Sequence, residues 1–110
     1  MIQMDKEKIL AQEASNDGQS VFLFYDEDEG CYKAFGKSAY YADMVVTDGK
    51  KFFSDELQMP GMKLADFNVR ELRQTMTKLE HIAHEFYHFQ TRGMIGDVGY
   101  EKWVIKVKGE

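Results

Sequence analysis

Residues 21–42, VFLFYDEDEGCYKAFGKSAYYA, carry the clearest structural signal in the chain. Residues 21–25 form a short, aromatic-rich apolar run, which is typical of a strand covered on both faces. An acidic stretch at 26–30 separates this run from a second strand-like run at 31–35. After one glycine, residues 37–43 have the composition of a short helix. The stretch therefore predicts an antiparallel hairpin at the centre of a sheet, followed by a helix.

Length and composition limit the class of protein. With 110 residues, 44% of them hydrophobic, the chain is expected to form a single globular domain over residues 1–110. No apolar run approaches the roughly 20 residues of a membrane span, and the charged N-terminus favours a helix over a signal peptide. The single cysteine, Cys31, fits a reducing compartment, so we expect a cytoplasmic protein with no membrane partner. A net charge of -5 disfavours strong binding to nucleic acid, because that affinity comes mainly from Lys and Arg.

A second hairpin is predicted around Asp48-Gly49. These two residues separate strand-like runs at 44–47 and 50–53. Asp-Gly between such runs is a strong hairpin signal, because a two-residue I′ turn needs positive φ at both central positions. A further turn is predicted at Pro60-Gly61.

The longest periodic segment is predicted to be a helix. It begins near Asp66 or Asn68, either of which suits an N-cap, and continues to about Gln90 without Gly or Pro after residue 78. Its apolar residues follow the 3-4-3-4 helical spacing: Val69, Leu72, Met76, Leu79, Ala83 and Phe86.

The two ends of the chain complete the predicted architecture. Residues 3–15 favour a surface helix, whereas residues 102–108 alternate apolar and lysine side chains as in an edge strand. The predicted order is α-β-β-α-β-β-α-β. It indicates an α+β fold with a single-layer mixed, mostly antiparallel sheet of about five strands, packed with about three helices.

Residues 84–88, HEFYH, match the pattern H-E-x-x-H. On a helix, His84 and His88 would share one face as zinc ligands, and Glu85 could act as the catalytic base on a metal-bound water. On the same helix these histidines, with His81, would lie opposite the apolar stripe, and a third protein ligand is not evident. We therefore expect a non-catalytic protein without a cofactor, with a small zinc-dependent hydrolase (metallopeptidase-like) as the alternative.

A set of residues spread over most of the chain points to a family resemblance: Phe22-Leu23-Phe24, Tyr32, Phe35-Gly36, Ala39, Ala42, residues 59–61, Lys78-Leu79 and Ile95-Gly96-Asp97. Through these residues the chain resembles the N-terminal mismatch-recognition domain of MutS. The resemblance implies an α+β domain from DNA mismatch repair that binds DNA without catalysing a reaction. It also implies a strand near residues 85–90, where the zinc motif requires a helix.

The positions that read a mispaired base in that family differ in this chain. Aligned through Phe35-Gly36, the wedging Phe is replaced by Cys31, and the Glu that contacts the base is replaced by Lys33. The resemblance thus implies an accessory module that contacts DNA weakly through Cys31, Tyr32, Lys33 and Lys37. Such a module would act within a larger assembly or by self-association. A protein-protein adaptor without a nucleic-acid role is a further alternative.

Overall fold

The computed structural model describes residues 6–16, 20–75, 78–83, 86–90 and 98–109. These residues form four helices and six strands. In chain order they are α1 (Lys6–Ala14), β1 (Ser20–Asp26), β2 (Cys31–Phe35), α2 (Gly36–Asp43), β3 (Lys50–Ser54), β4 (Met59–Leu64), α3 (Asp66–Thr75), β5 (Lys78–Ala83), β6 (Phe86–Gln90) and α4 (Tyr100–Gly109).

The six strands form one sheet in the order β3-β4-β2-β1-β6-β5, with every pair of neighbours antiparallel. The chain supplies them as three hairpins, each followed by a helix: β1-β2-α2, β3-β4-α3 and β5-β6-α4. The predicted α+β fold with a mostly antiparallel sheet and packed helices is confirmed. The described residues contain one strand and one helix more than expected. The hairpin predicted at residues 21–35 lies at the centre of the sheet, as expected.

Strand β1 is covered on both faces of the sheet. Along a strand successive side chains point to opposite faces. Val21 and Leu23 pack in the core that includes residues of α2 and α3, whereas Phe22 and Phe24 pack with Ile9 of α1. We call these two sides of the sheet the α2 face and the α1 face. Residues 21–24 are all buried and Tyr25 is half-buried, which explains why the run 21–25 is continuously apolar.

A carboxylate from α1 caps the first turn of α2. Phe35, at the N-cap position, supplies no side-chain hydrogen bond. Instead the carboxylate of Glu13 accepts hydrogen bonds from the backbone N–H of Ser38 at 3.1 Å and from its hydroxyl at 2.5 Å. Gly36 has φ +58°, and a Cβ atom there would lie 3.0 Å from Glu13 Oε1. Glycine at position 36 therefore allows α1 and α2 to approach closely.

The predicted hairpin around Asp48-Gly49 is wrong. β3 pairs with β4, and Pro60-Gly61 lies within β4 rather than at a turn. The carboxylate of Glu71 in α3 accepts hydrogen bonds from the backbone N–H of Thr47 at 2.9 Å and from its hydroxyl at 2.8 Å. Because the segment before β3 binds to a helix in this way, it does not pair as a strand.

The predicted helix over residues 66–90 is correct only as far as Thr75. Beyond it, β5 and β6 pair with each other, and β6 also pairs with β1. Phe89 is fully buried opposite Val21, so packing on the central strand outweighs the helical spacing of the apolar residues. Aromatic residues at 86, 87 and 89 also suit a strand.

The predicted strand over residues 102–108 is also wrong, because these residues belong to α4. Trp103 and Val107, four residues apart, face the protein, whereas Ile105 is 72% exposed. That burial pattern follows the helical period rather than alternation. The indole N–H of Trp103 donates to Asp43 Oδ2 at 2.9 Å, which ties α4 to the end of α2.

Replacing Glu13 tests the cap between α1 and α2. We expect Glu13→Ala to lower the free energy of unfolding by about 1–2 kcal/mol, the usual cost of losing a helix cap. Glu13→Gln should cost less at pH 7, because an amide oxygen still accepts a hydrogen bond and no charge is buried. Urea denaturation measures both values, and an alanine variant as stable as the wild type would contradict the cap.

The pH dependence of the same variants is a second test. Burial raises the pKa of Glu13 above its usual value of 4.5, against the opposing effect of the Ser38 hydrogen bonds. The folded state therefore binds a proton more tightly than the unfolded state. The resulting stabilisation is complete below pH 4.5 and is lost as the pH rises through the folded pKa. Relative to Glu13→Gln, the wild type should gain stability on acidification over this range.

Candidate functional site

The candidate site is a charged cluster on the α1 face, at the turn end of the β1-β2 hairpin. Its centre is Lys33 in β2, a lysine only 9% exposed. The Lys33 ammonium lies 2.8 Å from Asp26 Oδ2 and 2.5 Å from Glu29 Oε2. Burial by itself would lower the pKa of Lys33, but the hydrogen bonds to these two carboxylates outweigh it and raise the pKa. Lys33 is therefore a fixed positive charge.

Glu29 joins Lys33 to a second lysine. Its Oε1 atom lies 2.5 Å from the ammonium of Lys63 in β4, so each carboxylate oxygen binds one ammonium. These hydrogen bonds, from Lys33 first and Lys63 second, lower the pKa of Glu29 to about 2. The Glu29 side chain nevertheless remains 41% exposed. The carboxylate thus stays ionised at neutral pH while remaining open to solvent.

The ring of Phe52 lies beneath both ammonium groups. Its centroid is 5.6 Å from Lys33 Nζ and 5.8 Å from Lys63 Nζ, within the range of cation–π attraction. Phe52 pairs with Gly61 across β3 and β4, and a Cβ atom at residue 61 would lie 2.5 Å from the ring. Because Gly61 has no side chain, the Phe52 ring can occupy the space beneath the two ammonium groups.

A tight turn sets the position of Glu29. Asp26 Oδ1 accepts hydrogen bonds from the backbone N–H groups of Asp28 at 3.0 Å and Glu29 at 3.3 Å. Gly30 has φ +65°, and its N–H donates to the backbone oxygen of Asp26 at 2.8 Å. Asp26 thus has two roles, because one carboxylate oxygen holds the turn and the other binds Lys33.

Two cavities flank the cluster. One, of about 210 Å³, is lined by Lys33, Phe35 and Phe52 together with Ile9 of α1. The other, of about 510 Å³, lies towards the start of α3, and its lining includes Cys31, Lys50, Lys63, Asp48 and Asp66. Space for a ligand therefore exists on either side of the paired lysines.

The four residues predicted to contact nucleic acid do not form one surface. Cys31 and Lys33 alternate with Tyr32 along β2 and lie on the α1 face. Tyr32 is 7% exposed in the core of the α2 face. Lys37 lies in α2, with its ammonium 5.9 Å from the ring centroid of Tyr100. Burial, assisted by the charge of Glu29, raises the pKa of the Cys31 thiol and so disfavours the thiolate.

The described residues of the H-E-x-x-H motif, 86–88, lie in a strand, whereas the zinc alternative assumes a helix there. His81 belongs to β5 and His88 to β6, while His84 and Glu85 lie outside the described residues. His88 Nε2 is 2.8 Å from the hydroxyl of Ser20, and its ring centroid is 4.6 Å from that of Phe22. Within the described ranges, no group of three or more His, Cys, Asp or Glu side chains is placed to hold a metal ion.

The sequence identified Lys33 but missed its partners. In the sequence the acidic stretch only separates two strand-like runs, whereas in the structure Asp26 and Glu29 bind the lysines. Lys63 and Phe52 could not be identified, because β4 was not predicted as a strand and β3 was assigned the wrong partner. An i,i+4 acid–lysine spacing, as between Glu29 and Lys33, was the only local signal.

No protein-family model, curated protein or solved structure matches this chain. Among the helices that the structure describes, none is both long and apolar enough to cross a membrane.

Lys33 and Lys63 are expected to differ in their importance for stability. Lys33→Ala leaves the carboxylate of Asp26, which is only 16% exposed, without its charged partner. We expect a loss of about 1–3 kcal/mol for this variant, because a buried polar group is left unsatisfied. Lys63→Ala breaks a more exposed pair and should cost less than about 1 kcal/mol. Urea denaturation of both variants checks this order, and equal losses would contradict it.

We expect the isolated protein not to bind stoichiometric zinc tightly. Residues 78–83 and 86–90 are strands, whereas the motif places its two histidines one turn apart only on a helix. Metal analysis of protein purified without a His tag measures the zinc content. One zinc per chain that disappears in a His84→Ala variant would contradict this expectation.

Proposed function

We propose that this chain is a non-catalytic binding or accessory module related to the mismatch-recognition domain of MutS. It contacts DNA weakly, or as part of a larger assembly. The observation that carries the proposal is the strand conformation of Phe86–Gln90. The family resemblance requires a strand in this segment, whereas the zinc-hydrolase alternative requires a helix there.

Several residues that carry the resemblance lie in the kind of element, strand or helix, that the resemblance implies for them. Phe22 and Phe24 lie in the central strand, and Phe35 is followed directly by the first residue of α2. Ala39 and Ala42 are fully buried, so small side chains occur where α2 packs on the sheet. Of the other matching residues, 95–97 lie outside the described part of the chain.

The chemistry of Cys31 and Lys33 does not suit the reading of a mispaired base. Inserting a wedge into DNA costs a few kcal/mol of unstacking, which an aromatic contact can offset. Cys31 offers no aromatic ring, and the Lys33 ammonium is bound to two carboxylates. A lysine is suited to phosphate oxygens rather than to stacking. The proposed module therefore binds DNA through phosphates and does not distinguish a mismatch.

DNA binding is accordingly expected to be weak, salt-dependent and indifferent to mismatches. With a net charge of -5, few phosphates can be neutralised, and three would give a log-log salt slope of about -2.7. Fluorescence anisotropy with matched and G·T-mismatched duplexes at low salt measures both the affinity and the preference.

Two outcomes would overturn parts of the proposal. A mismatch preference above about tenfold that is lost in Cys31→Ala or Lys33→Ala would show that this chain reads mispairs. No binding to either duplex at low salt would remove the DNA role and favour the protein-protein adaptor. Lys102→Ala, at an exposed residue of α4, is the matched control for loss of one positive charge.

A further inference from the structure

Three lysines lie side by side across three neighbouring strands. Lys33 in β2 is directly opposite Lys63 in β4, and Lys63 is directly opposite Lys50 in β3. Residues opposite each other in antiparallel strands project from the same face of the sheet, and like charges in such pairs are destabilising. The row Lys33–Lys63–Lys50 therefore requires a negative group above it.

Glu29 supplies that negative group from the β1-β2 turn. Its two oxygens bind Lys33 and Lys63 at 2.5 Å each, an arrangement that an oxyanion with several oxygens can reproduce. Glu29 reaches the lysines from a turn whose residues 27–30 are all exposed. Its side chain can therefore leave the lysines without disturbing the core.

We propose that the Lys33–Lys63–Lys50 row is a binding site for a phosphate group and that Glu29 occupies it as an internal competitor. The inference rests on the proposed function in one respect, since a phosphate of the DNA backbone is then the expected ligand. The same chemistry would accept a free phosphate or a small phosphate ester. In either case Lys63 and Lys50 belong to the binding site, beyond the contacts expected from the sequence.

The surroundings of the row make phosphate exchange feasible. When Glu29 leaves, Lys33 keeps its ion pair with Asp26, and Phe52 still supports both ammonium groups. The cavity beside Lys63 and Lys50 is about 510 Å³, enough for a phosphate group. Asp48 and Asp66 line the same cavity and repel anions. While Glu29 remains ionised, the cavity therefore attracts a phosphate only weakly and only close to the lysines.

Removing the charge of Glu29 is the direct test. Glu29→Gln should bind inorganic phosphate roughly fivefold more tightly than the wild type at low salt, the order of magnitude expected from removing the two partly exposed ion pairs that compete for the lysines. Titration followed by ¹H–¹⁵N NMR should shift the amide signals of Gly30, Cys31, Lys63 and Leu64. Adding Lys63→Gln to Glu29→Gln should abolish the gain.

Asp28→Asn is the matched control, because it removes one negative charge from an exposed residue of the same turn. Its phosphate affinity should rise less than that of Glu29→Gln. Equal gains in the two variants would overturn the competitor role of Glu29, since general charge reduction would then explain the effect. No phosphate-dependent shift in Glu29→Gln would overturn the site itself.

A DNA titration separates this inference from the proposed function. Glu29→Gln should bind the matched duplex more tightly than the wild type, with a log-log salt slope steeper by about 0.9 for one additional phosphate contact. Phosphate binding without DNA binding in either protein would refute the DNA role and leave the site with a small phosphate ligand. DNA binding that is unchanged in Glu29→Gln would support the module and refute the competitor.

Discussion

The structure depends on the burial of β1 on both of its faces. Val21 and Leu23 on one side, and Phe22 and Phe24 on the other, lose almost all contact with water. At roughly 1.5–3 kcal/mol for each large apolar side chain, this one strand contributes a substantial part of the hydrophobic stabilisation of the domain. Because β1 pairs with β6 and its neighbour β2 pairs with β4, the β1-β2 hairpin joins the other two hairpins in one sheet.

The charged cluster follows from the same constraint. β2 lies beside the buried strand, and the alternation of its residues places Tyr32 and Ala34 in the core of the α2 face. Lys33 must then point to the α1 face, opposite Phe24, where burial is incomplete but extensive. A lysine in that position needs carboxylate partners, because an unpaired charge removed from water is costly. Asp26 and Glu29, at the end of the same hairpin, are close enough in sequence to provide them.

The sequence predicted those parts of the structure whose contacts join residues close together in the chain. The β1-β2 hairpin and α2 are contiguous, and their burial pattern is visible in residues 21–42, so they were predicted correctly. The strand character of Phe86–Gln90 depends on pairing with β1, which is distant in the chain, and the local spacing favoured a helix. The candidate site shows the same limit. Lys33 was singled out by the family alignment of the β1-β2 hairpin, whereas Lys63 and Phe52 reach it only through the β2–β4 and β4–β3 pairings.

Helix α4 contacts the edge of the sheet that is opposite to the hairpin it follows in the chain. It follows β5 and β6 at one edge of the sheet, yet it packs against β3 and β4 at the other edge. The Lys108 ammonium lies 5.1 Å from the ring centroid of Phe53, and Trp103 is bound to Asp43 at the end of α2. Helix α4 therefore packs on the β3-β4 hairpin, with which the β5-β6 hairpin before it in the chain shares no strand pairing. Contacts between residues far apart in the chain cost entropy that is offset only once the sheet is complete, so α4 should dock late in folding and link the opening of one edge to that of the other.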